Sequence, residues 1–236
     1  MKYLLNIVFV GLLGITPAAA EDAVVVATID GLADVPAART IVEEAYRRIG
    51  LPVEFRAFSA AEALRQSNAG EVDAELQRID GISARFPNLV QVPIPINMIL
   101  GVAYSRKYRF PVTGWHSLRP YQVGIVEGIL FAEVNTSGMD VRRYKTYAEL
   151  IAALGRDEVD VAVMPRIEGR SMLGSNGFDD IVEMEGVLES QFLYHYVNRK
   201  RGDLVERLIP VLKEMLTSGE TRRIHDRALA VAGERP

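Results

Sequence analysis

A helix–turn–strand pattern occurs twice in this chain, and the repetition restricts the possible folds more than any other feature. The first copy begins at Ser59 and reads SAAEALRQSNAGEVDAEL; the second begins at Thr146 and reads TYAELIAALGRDEVDVAV. The offset between matching positions is constant, so Asp73 of the first copy matches Asp160 of the second. Coincidence in a chain rich in Ala and Glu is the alternative. The agreement of cap, turn and strand signals at one offset favours a repeated unit.

Each copy carries the signals of a helix, a turn and a buried strand in the same order. It opens with a capping box, in which a hydroxyl accepts from an N–H of the first turn and a carboxylate reaches back to the N–H of the cap residue. The pairs are Ser59 with Glu62 and Thr146 with Glu149. A polar turn with Gly70 or Gly155 follows, and a short apolar run after Glu-Val-Asp predicts a strand. We therefore expect two α/β lobes of related design.

The first twenty residues have the pattern of a signal peptide. Lys2 is followed by an apolar run over residues 4–13 and by Ala-Ala-Ala at 18–20, which resembles a cleavage site. The apolar run is too short for a comfortable membrane span. We expect export to the periplasm, with cleavage after Ala20 and a mature chain that begins at Glu21.

Composition excludes several classes of protein. The chain has no cysteine, so its stability does not rest on disulfides. Its formal net charge of −4 argues against a nucleic-acid partner, because such proteins are usually basic. The three histidines, His116, His195 and His225, have no zinc-site spacing. We expect neither a metal nor a cofactor.

The mature chain begins with alternating strand and helix signals. Residues 23–29 predict an apolar strand, residues 37–49 an amphipathic helix, and residues 53–57 a second strand. The first copy of the repeated unit then adds a helix and a third strand. This alternation predicts an α/β fold in which each lobe is a mostly parallel sheet flanked by helices.

Parallel sheets of this kind bind ligands outside the carboxyl ends of their strands. Asp30 and Leu32 follow the first strand, and Arg78 lies near the end of the third. Arg78 is able to clamp a carboxylate or phosphate through its fork of donors. The alternative is a surface arginine paired with Asp80 or Glu75.

The middle of the chain predicts a crossing between the lobes. The prolines of residues 89–96 exclude a regular central strand and suit an edge or a rigid approach to a crossover. Residues 98–104 predict the next strand, and residues 191–197 predict a strand that crosses back. Within the latter, His195 is either a hydrogen-bonded core histidine, which we favour, or part of a hinge-side pocket.

A second possible ligand position follows the strand predicted at residues 121–126. This strand ends in Glu127 and Gly128, and a helix begins near Ile129. The free N–H groups of such a helix start suit an anion, although one glycine is a weak signal. The alternative is an ordinary strand-to-helix turn.

The strand of the second repeat ends at Pro165 and Arg166. Pro165 matches Arg78 at the repeat offset, so Arg78 and Arg166 are expected to face each other from opposite lobes. We interpret Trp115, which lies between the repeats, as a packing anchor rather than a ligand contact.

Together these features resemble type II periplasmic solute-binding proteins, in particular the amino-acid-type (family 3) substrate-binding domains of ABC transporters. The residues that carry the resemblance are Gly70–Asp73, Trp115–Leu118, Val123–Gly128, Glu158–Val161 and the C-terminal helical region. The resemblance implies two lobes that close over a small molecule about a hinge. It implies residues 21–100 with 196–236 as lobe 1 and 101–195 as lobe 2. It also implies a monomer that delivers its ligand to an inner-membrane permease or receptor.

Three departures from the family pattern bear on the ligand. Arg85 matches the arginine that holds the ligand carboxylate in amino-acid-binding members, but Ile82 stands where those members have threonine. Pro165 stands where they have the aspartate that holds the ligand amine. The loop after the first strand lacks their aromatic residues. The resemblance therefore implies an organic acid or a largely apolar ligand rather than an α-amino acid, with Arg78 or Arg85 as the partner of a carboxylate.

Three functional classes follow. The first is a non-catalytic solute-binding protein of a transporter. The second is a sensory or accessory protein of the same fold. The third, which we do not favour, is a dehydratase-like enzyme with Glu75 or Glu127 as general acid. The expected ligand-binding residues are Asp30, Leu32, Glu75, Arg78, Arg85, Tyr104, Glu127, Gly128, Ile129, Pro165 and Arg166.

Overall fold

The computed structural model describes residues 22–33, 35–176 and 178–231. The predicted signal peptide lies outside the described residues. The strands are β1 (Val24–Ile29), β2 (Val53–Phe58), β3 (Ala74–Ile79), β4 (Leu89–Ser105), β5 (Val123–Val126), β6 (Val141–Tyr144), β7 (Val161–Pro165), β8 (Val182–Glu183) and β9 (Glu189–Asn198). The α-helices are α1 (Val35–Arg48), α2 (Ala60–Ala69), α3 (Leu130–Asn135), α4 (Tyr147–Gly155), α5 (Arg166–Asn176), α6 (Asp203–Thr217) and α7 (Glu220–Val231). None of these helices is long and apolar enough to cross a bilayer.

The strands form one sheet in the order β2-β1-β3-β9-β4-β7-β5-β6, with β8 paired to β4. Strand pairs are parallel within β2-β1-β3 and within β7-β5-β6. The two central strands, β9 and β4, are antiparallel to each other and to their outer neighbours. The predicted mostly parallel α/β fold is confirmed: two parallel halves are joined by two crossing strands.

Two large hydrophobic cores lie on the two halves of the sheet. One packs β1 and β3 against α1 and α6, with Ile41, Tyr46 and Leu208 fully buried. The other packs β5 and β7 against α4, with Ile125 and Leu150 fully buried. We call the parts around these cores lobe 1 (β1–β3, α1, α2, α6 and α7, with residues 80–96 and 196–198 beside them) and lobe 2 (β5–β7, α3–α5).

The repeated unit is present in both lobes. The Asp73 carboxylate accepts from the N–H of Val25 at 2.8 Å, and the Asp160 carboxylate accepts from the N–H of Gln122 at 2.9 Å. Asp73, the residue before β3, is thus joined to β1, and Asp160, the residue before β7, is joined to the residue before β5. The repetition therefore reflects a shared local structure and not only a shared composition.

Of the two hydrogen bonds predicted for each capping box, the one accepted by the hydroxyl is present. The Ser59 and Thr146 hydroxyls accept from the N–H groups of the third helical residues at 3.4 and 3.1 Å. The reach-back bonds differ from expectation. Glu62 instead accepts from Arg65 and Gln66, its neighbours along the helix. In the second copy, the Glu149 carboxylate accepts from the N–H of Lys145, the residue before the cap.

The turns after the two helices also differ. Gly70 is left-handed (φ 75°) and its N–H donates to carbonyls of the last turn, as predicted. Gly155 is the last residue of α4, and the left-handed residue of that turn is Asp157 (φ 60°). Aspartate tolerates this conformation better than most side chains, so the second turn does not depend on glycine.

The proline segment pairs on one side only, as a strand at an edge does, and it continues into a longer strand that is central further along. Between Leu89 and Gly101 the pairs of β4 are to β9, and pairing with β7 begins only at Gly101. The register against β9 shifts on both sides of Pro95, which has no N–H to donate. The sequence did not indicate that this segment runs without a break to Ser105.

His195 is a core histidine, as favoured from the sequence. Its Nδ1 lies 3.1 Å from the carbonyl oxygen of Leu76, which only accepts, so Nδ1 carries the proton. Nε2 then accepts from the Tyr46 hydroxyl at 3.0 Å. Burial lowers the pKa of His195 from 6.5 to about 4, because the charged imidazolium loses its hydration.

Candidate ligand-binding site

A cavity of about 60 Å³ lies between the lobes, beside the carboxyl ends of β1, β3 and β7. A space of this size holds roughly four or five water molecules. Most of its wall is aliphatic or aromatic. The polar side chains that line it are Glu75, Gln77, Arg78, Tyr147 and Glu168. The apolar ones are Ile29, Leu32, Val35, Leu76, Ile79, Ile99, Ile129, Leu130, Phe131, Pro165 and Leu193.

Two buried charges in this wall neutralise each other. Arg78 Nε lies 2.8 Å from Glu75 Oε1, and both side chains are almost fully buried. The Ser67 hydroxyl donates to the other Glu75 oxygen at 2.9 Å. Burial raises the pKa of Glu75, and the Arg78 charge and the Ser67 and Arg78 hydrogen bonds oppose that rise. Arg78 therefore has its charge partner within the protein. Of the two alternatives, the pairing with Glu75 occurs, although in the interior rather than on the surface.

An irregularity in β3 makes this ion pair possible. Side chains three residues apart in a regular strand point to opposite faces. The register of β3 against β9 shifts between Glu75 and Arg78. The shift lets both side chains turn to the same side and meet.

The remaining donors of Arg78 reach the point where the lobes touch. Nη2 donates to the carbonyl oxygen of Ala60 at 2.9 Å, and Nη1 donates to that of Gly128 in lobe 2 at 3.0 Å. Gly128 has φ 80°, and a Cβ added there would lie 2.3 Å from the backbone nitrogen of Ala61. Only glycine fits this approach without displacement, so Gly128 marks direct contact between the lobes.

The expected anion site after β5 is already used by the protein. The N–H of Gly128 donates to Glu133 Oε1 of α3 at 2.8 Å. Glu127 is exposed and does not line the cavity. The junction behaves as the ordinary strand-to-helix turn that was the alternative.

Arg85 is exposed and lies outside the cavity. Its Nη1 is 3.2 Å from Glu133 Oε2, so it forms an ion pair between the lobes. The structure does not bring Arg85 together with Arg78 at one ligand position.

The other expected residues divide into three groups. Leu32, Ile129 and Pro165 line the cavity, whereas Asp30 is exposed on the loop after β1. Tyr104 and Arg166 belong to a separate arrangement around Glu183.

Tyr104 and Arg166 share Glu183. The Tyr104 hydroxyl lies 3.3 Å from Glu183 Oε2, and Arg166 Nε lies 2.7 Å from Glu183 Oε1. Burial raises the pKa of Tyr104. Neither side chain lines the cleft cavity, so Arg78 and Arg166 do not converge on it.

Two residues that join the lobes were not predicted from the sequence. Glu168 of α5 is 1% exposed, and both its oxygens lie 2.8 Å from the N–H of Ala33 in the loop after β1. Leu130 of α3 packs into a cluster of lobe 1 side chains. That cluster contains Leu64, Ile82, Leu89 and Tyr196. A Glu or Leu in a first helical turn is too common to signal such a contact.

Trp115 packs rather than faces the cavity. Its ring lies 6.1 Å from that of Phe131, and its indole N–H donates to Glu189 at 3.2 Å. The interpretation as a packing anchor is confirmed.

Comparisons with known proteins identify the fold. No protein-family model matches the sequence, and no curated protein matches it. Solved structures do match. The sensor domain of a histidine kinase with similarity to periplasmic binding proteins superposes with a TM-score of 0.75 at 19% identity, covering 89% of this chain and 97% of that one.

Two further binding proteins have a similar structure. A mutant of ArgBP from T. maritima gives a TM-score of 0.71 at 19% identity, covering 88% of this chain and 95% of that one. AbpA from Streptococcus pneumoniae, an amino acid ABC transporter substrate-binding protein bound to L-arginine, gives 0.68 at 15% identity, covering 90% and 97%. At such identities the likeness establishes the two-lobed type II periplasmic-binding-protein fold, with β4 and β9 as its hinge strands.

Proposed function

We propose that this chain is a non-catalytic binding protein that captures a small, uncharged and largely apolar molecule between its two lobes. The observation that carries the proposal is the cavity between the lobes. It is lined mainly by apolar groups, and the one arginine among the described residues that line it is already neutralised by Glu75. This choice is narrower than the organic acid or apolar ligand expected from the sequence.

Charge matching argues against an α-amino acid. A ligand carboxylate next to Arg78 would compete with Glu75, and it would add a further negative charge to a wall that already contains the buried carboxylates of Glu75 and Glu168. Burying an unpaired charge costs several kcal/mol or more, in contrast to burying an apolar group. Arg85 does not supply the missing charge, because it lies outside the cavity and pairs with Glu133.

The contacts between the lobes support capture by closure. Arg78 and Gly128, Arg85 and Glu133, and Ala33 and Glu168 each join one lobe to the other. Since β4 and β9 pass between the lobes, breaking these contacts would open the cavity about a hinge. We propose residues 21–100 with 196–236 and residues 101–195 as the two lobes of this motion.

We further propose that the protein is a periplasmic monomer, cleaved after Ala20, which delivers its ligand to an inner-membrane permease. The structural neighbour AbpA, an amino acid ABC transporter substrate-binding protein, supports this partner. A receptor is the second candidate, and the sensor-domain neighbour favours it specifically. An enzymatic role has less support, because Glu75 is held by Arg78 and Ser67 and Glu127 faces solvent.

The test combines ligand identification with a matched series of small molecules. Native mass spectrometry of residues 21–236, before and after mild denaturation, detects a co-purified ligand as an added mass. Thermal unfolding is then measured with isobutanol, isobutyrate and valine, which share a branched apolar group and differ in charge. We expect stabilisation by isobutanol alone.

A cavity-filling variant locates the binding. Leu32→Phe is expected to abolish the stabilisation, whereas Val134→Phe, at an exposed position of α3, is expected to leave it unchanged. Stabilisation by isobutyrate of equal size would reject the uncharged ligand in favour of an organic acid. If no small molecule shifts the melting temperature and no mass co-purifies, an accessory role without a ligand replaces the proposal.

A further inference from the structure

A second cavity, of about 640 Å³, lies along the strands β4 and β9. Leu193 of β9 lines the cleft cavity and its neighbour Phe192 lines the second one, whereas Ile99 and Pro165 line both. Successive residues of a strand point to opposite faces, so the two cavities lie on different faces of β9 and border each other at Ile99 and Pro165. We call the second cavity the back groove. Its walls are α7 and the end of α6 from lobe 1 and α5 from lobe 2.

The floor of the back groove is apolar and open to solvent. Met98, Phe192 and Leu216 are 50%, 55% and 41% exposed, and all three line it. They are half of the six large hydrophobic side chains that are exposed among the described residues. Exposed apolar side chains that are scattered singly need no explanation, but a cluster in a concave surface marks a binding site.

The rim of the back groove is cationic. The charged residues in its lining are Arg166, Arg170 and Arg222, and no Asp or Glu is among the described residues that line it. Arg166 and Arg170 share one carboxylate, that of Glu183, so this pair retains excess positive charge. The chain as a whole carries a formal net charge of −4, so the positive groove is a local feature.

We propose that the back groove is a second ligand site, and that it binds an amphipathic anion with an aliphatic chain and a carboxylate head. The chain would cover Met98, Phe192 and Leu216, and the carboxylate would accept from Arg166 or Arg170. The volume lies in the range of about 300–1,000 Å³ that small-molecule pockets occupy. The ligand proposed for the back groove is thus negatively charged, whereas the molecule proposed for the cleft is uncharged.

The experiment uses decanoate as the probe, below its micellar concentration, in calorimetric titrations of the full mature chain. Decanol has the same chain without the charge, and decyltrimethylammonium has the opposite charge. We expect decanoate to bind at least about tenfold more tightly than either, because only it pairs with the arginines.

Two variants test the apolar floor and the rim, each with a matched control. Phe192→Asp is expected to weaken decanoate binding at least about tenfold, and Arg170→Gln about threefold to tenfold. Val134→Asp changes an equally exposed hydrophobic residue elsewhere, and Arg156→Gln changes an equally exposed arginine paired with a glutamate. Both controls are expected to keep the wild-type affinity. All four altered side chains are exposed, and unchanged melting temperatures verify their folding.

Binding of decanoate that is unaffected by Phe192→Asp, or equal to that of decanol, would overturn the proposal. So would the absence of binding to the wild-type chain. Loss of decanoate binding in the cleft variant Leu32→Phe would place the ligand in the cleft and likewise overturn it. Because the two sites are tested with different probes, and Leu32→Phe is expected to affect only the cleft, either proposal can fail alone.

Discussion

Arg78 of lobe 1 donates through Nη1 to the carbonyl oxygen of Gly128 in lobe 2, across 3.0 Å. The same guanidinium neutralises the buried carboxylate of Glu75 at 2.8 Å. One side chain therefore supports both the interior of lobe 1 and the contact between the lobes. Stability and closure are expected to respond together when it is changed.

Replacing Arg78 by Met should strongly destabilise the protein. The change leaves Glu75 buried without its partner, which typically costs about 3–5 kcal/mol. In Arg78→Met/Glu75→Gln the charge is gone and the Ser67 bond is retained, so we expect the double variant to recover part of the loss. Urea unfolding at pH 7 gives the free energies. Equal losses in the single and double variants would mean that the pair is not electrostatically coupled.

Gly128→Ala should separate the lobes. Alanine at a left-handed position costs about 1–2 kcal/mol by itself. Here its Cβ would also overlap the backbone of Ala61, so we expect at least about 2 kcal/mol more. Gly138→Ala is the control, because Gly138 has nearly the same φ (78°) and nothing within 4 Å of the added Cβ. A larger radius of gyration in small-angle scattering is expected for the Gly128 variant alone.

Leu130→Ala should weaken the contact between the lobes through lost packing. The side chain is buried in the lobe 1 cluster around Leu64 and Tyr196, and such a truncation costs about 2–5 kcal/mol. Leu154→Ala removes a comparable buried side chain within the core of lobe 2. We expect similar losses of stability, with increased opening only in the first variant. Equal scattering profiles for the two would contradict a role of Leu130 in closure.

Protonation of His195 should destabilise the fold at acidic pH. Its pKa is about 4 in the folded protein and 6.5 when unperturbed, so between these values the unfolded chain binds more protons. Stability therefore rises with pH through this window and is unaffected by this group above it. The loss from pH 7 to pH 4 from this residue is about 3 kcal/mol.

The variant His195→Gln tests this pH dependence. Its amide can still donate to Leu76 and accept from Tyr46, so the hydrogen bonds remain and the titration is removed. We expect a shallower fall of unfolding free energy between pH 6.5 and 4 than in the wild type. His116→Gln, at an exposed position, should follow the wild-type curve. A wild-type slope in His195→Gln would assign the acid sensitivity to other groups.

Local patterns were sufficient to predict most of the elements and the fold class, although not the unbroken strand β4. Short-range periodicity predicts strand β1 and the amphipathic helix α1, and caps and turns predict the two repeats. The alternation of strands and helices predicts that neighbouring strands pair in parallel. Asp73 and Asp160, which the repeat matches to each other, make equivalent hydrogen bonds in the structure. These features depend on residues close in sequence, which a single chain displays directly.

The candidate site was less predictable because it depends on irregularity and on distant contacts. The Glu75–Arg78 pair requires a register shift that alternation does not indicate. Ala33 and Glu168 meet across 135 positions of the sequence, and neither carries a local signal. Arg85 matched a family position, yet its surroundings direct it to Glu133 outside the cavity.

The pairing of β9 with both β3 and β4 has a consequence for the order of folding. Leu193 pairs with Ile79, so β3 has β1 on one side but lacks its second neighbour until most of the chain is available. The segment from β5 to β7 contains all strands of its own parallel sheet, and its contacts are shorter in sequence. Because closing long loops slows folding, we expect lobe 2 to form first and lobe 1 to be completed on it. The hinge strands would then be the last part of the native structure to acquire hydrogen-exchange protection.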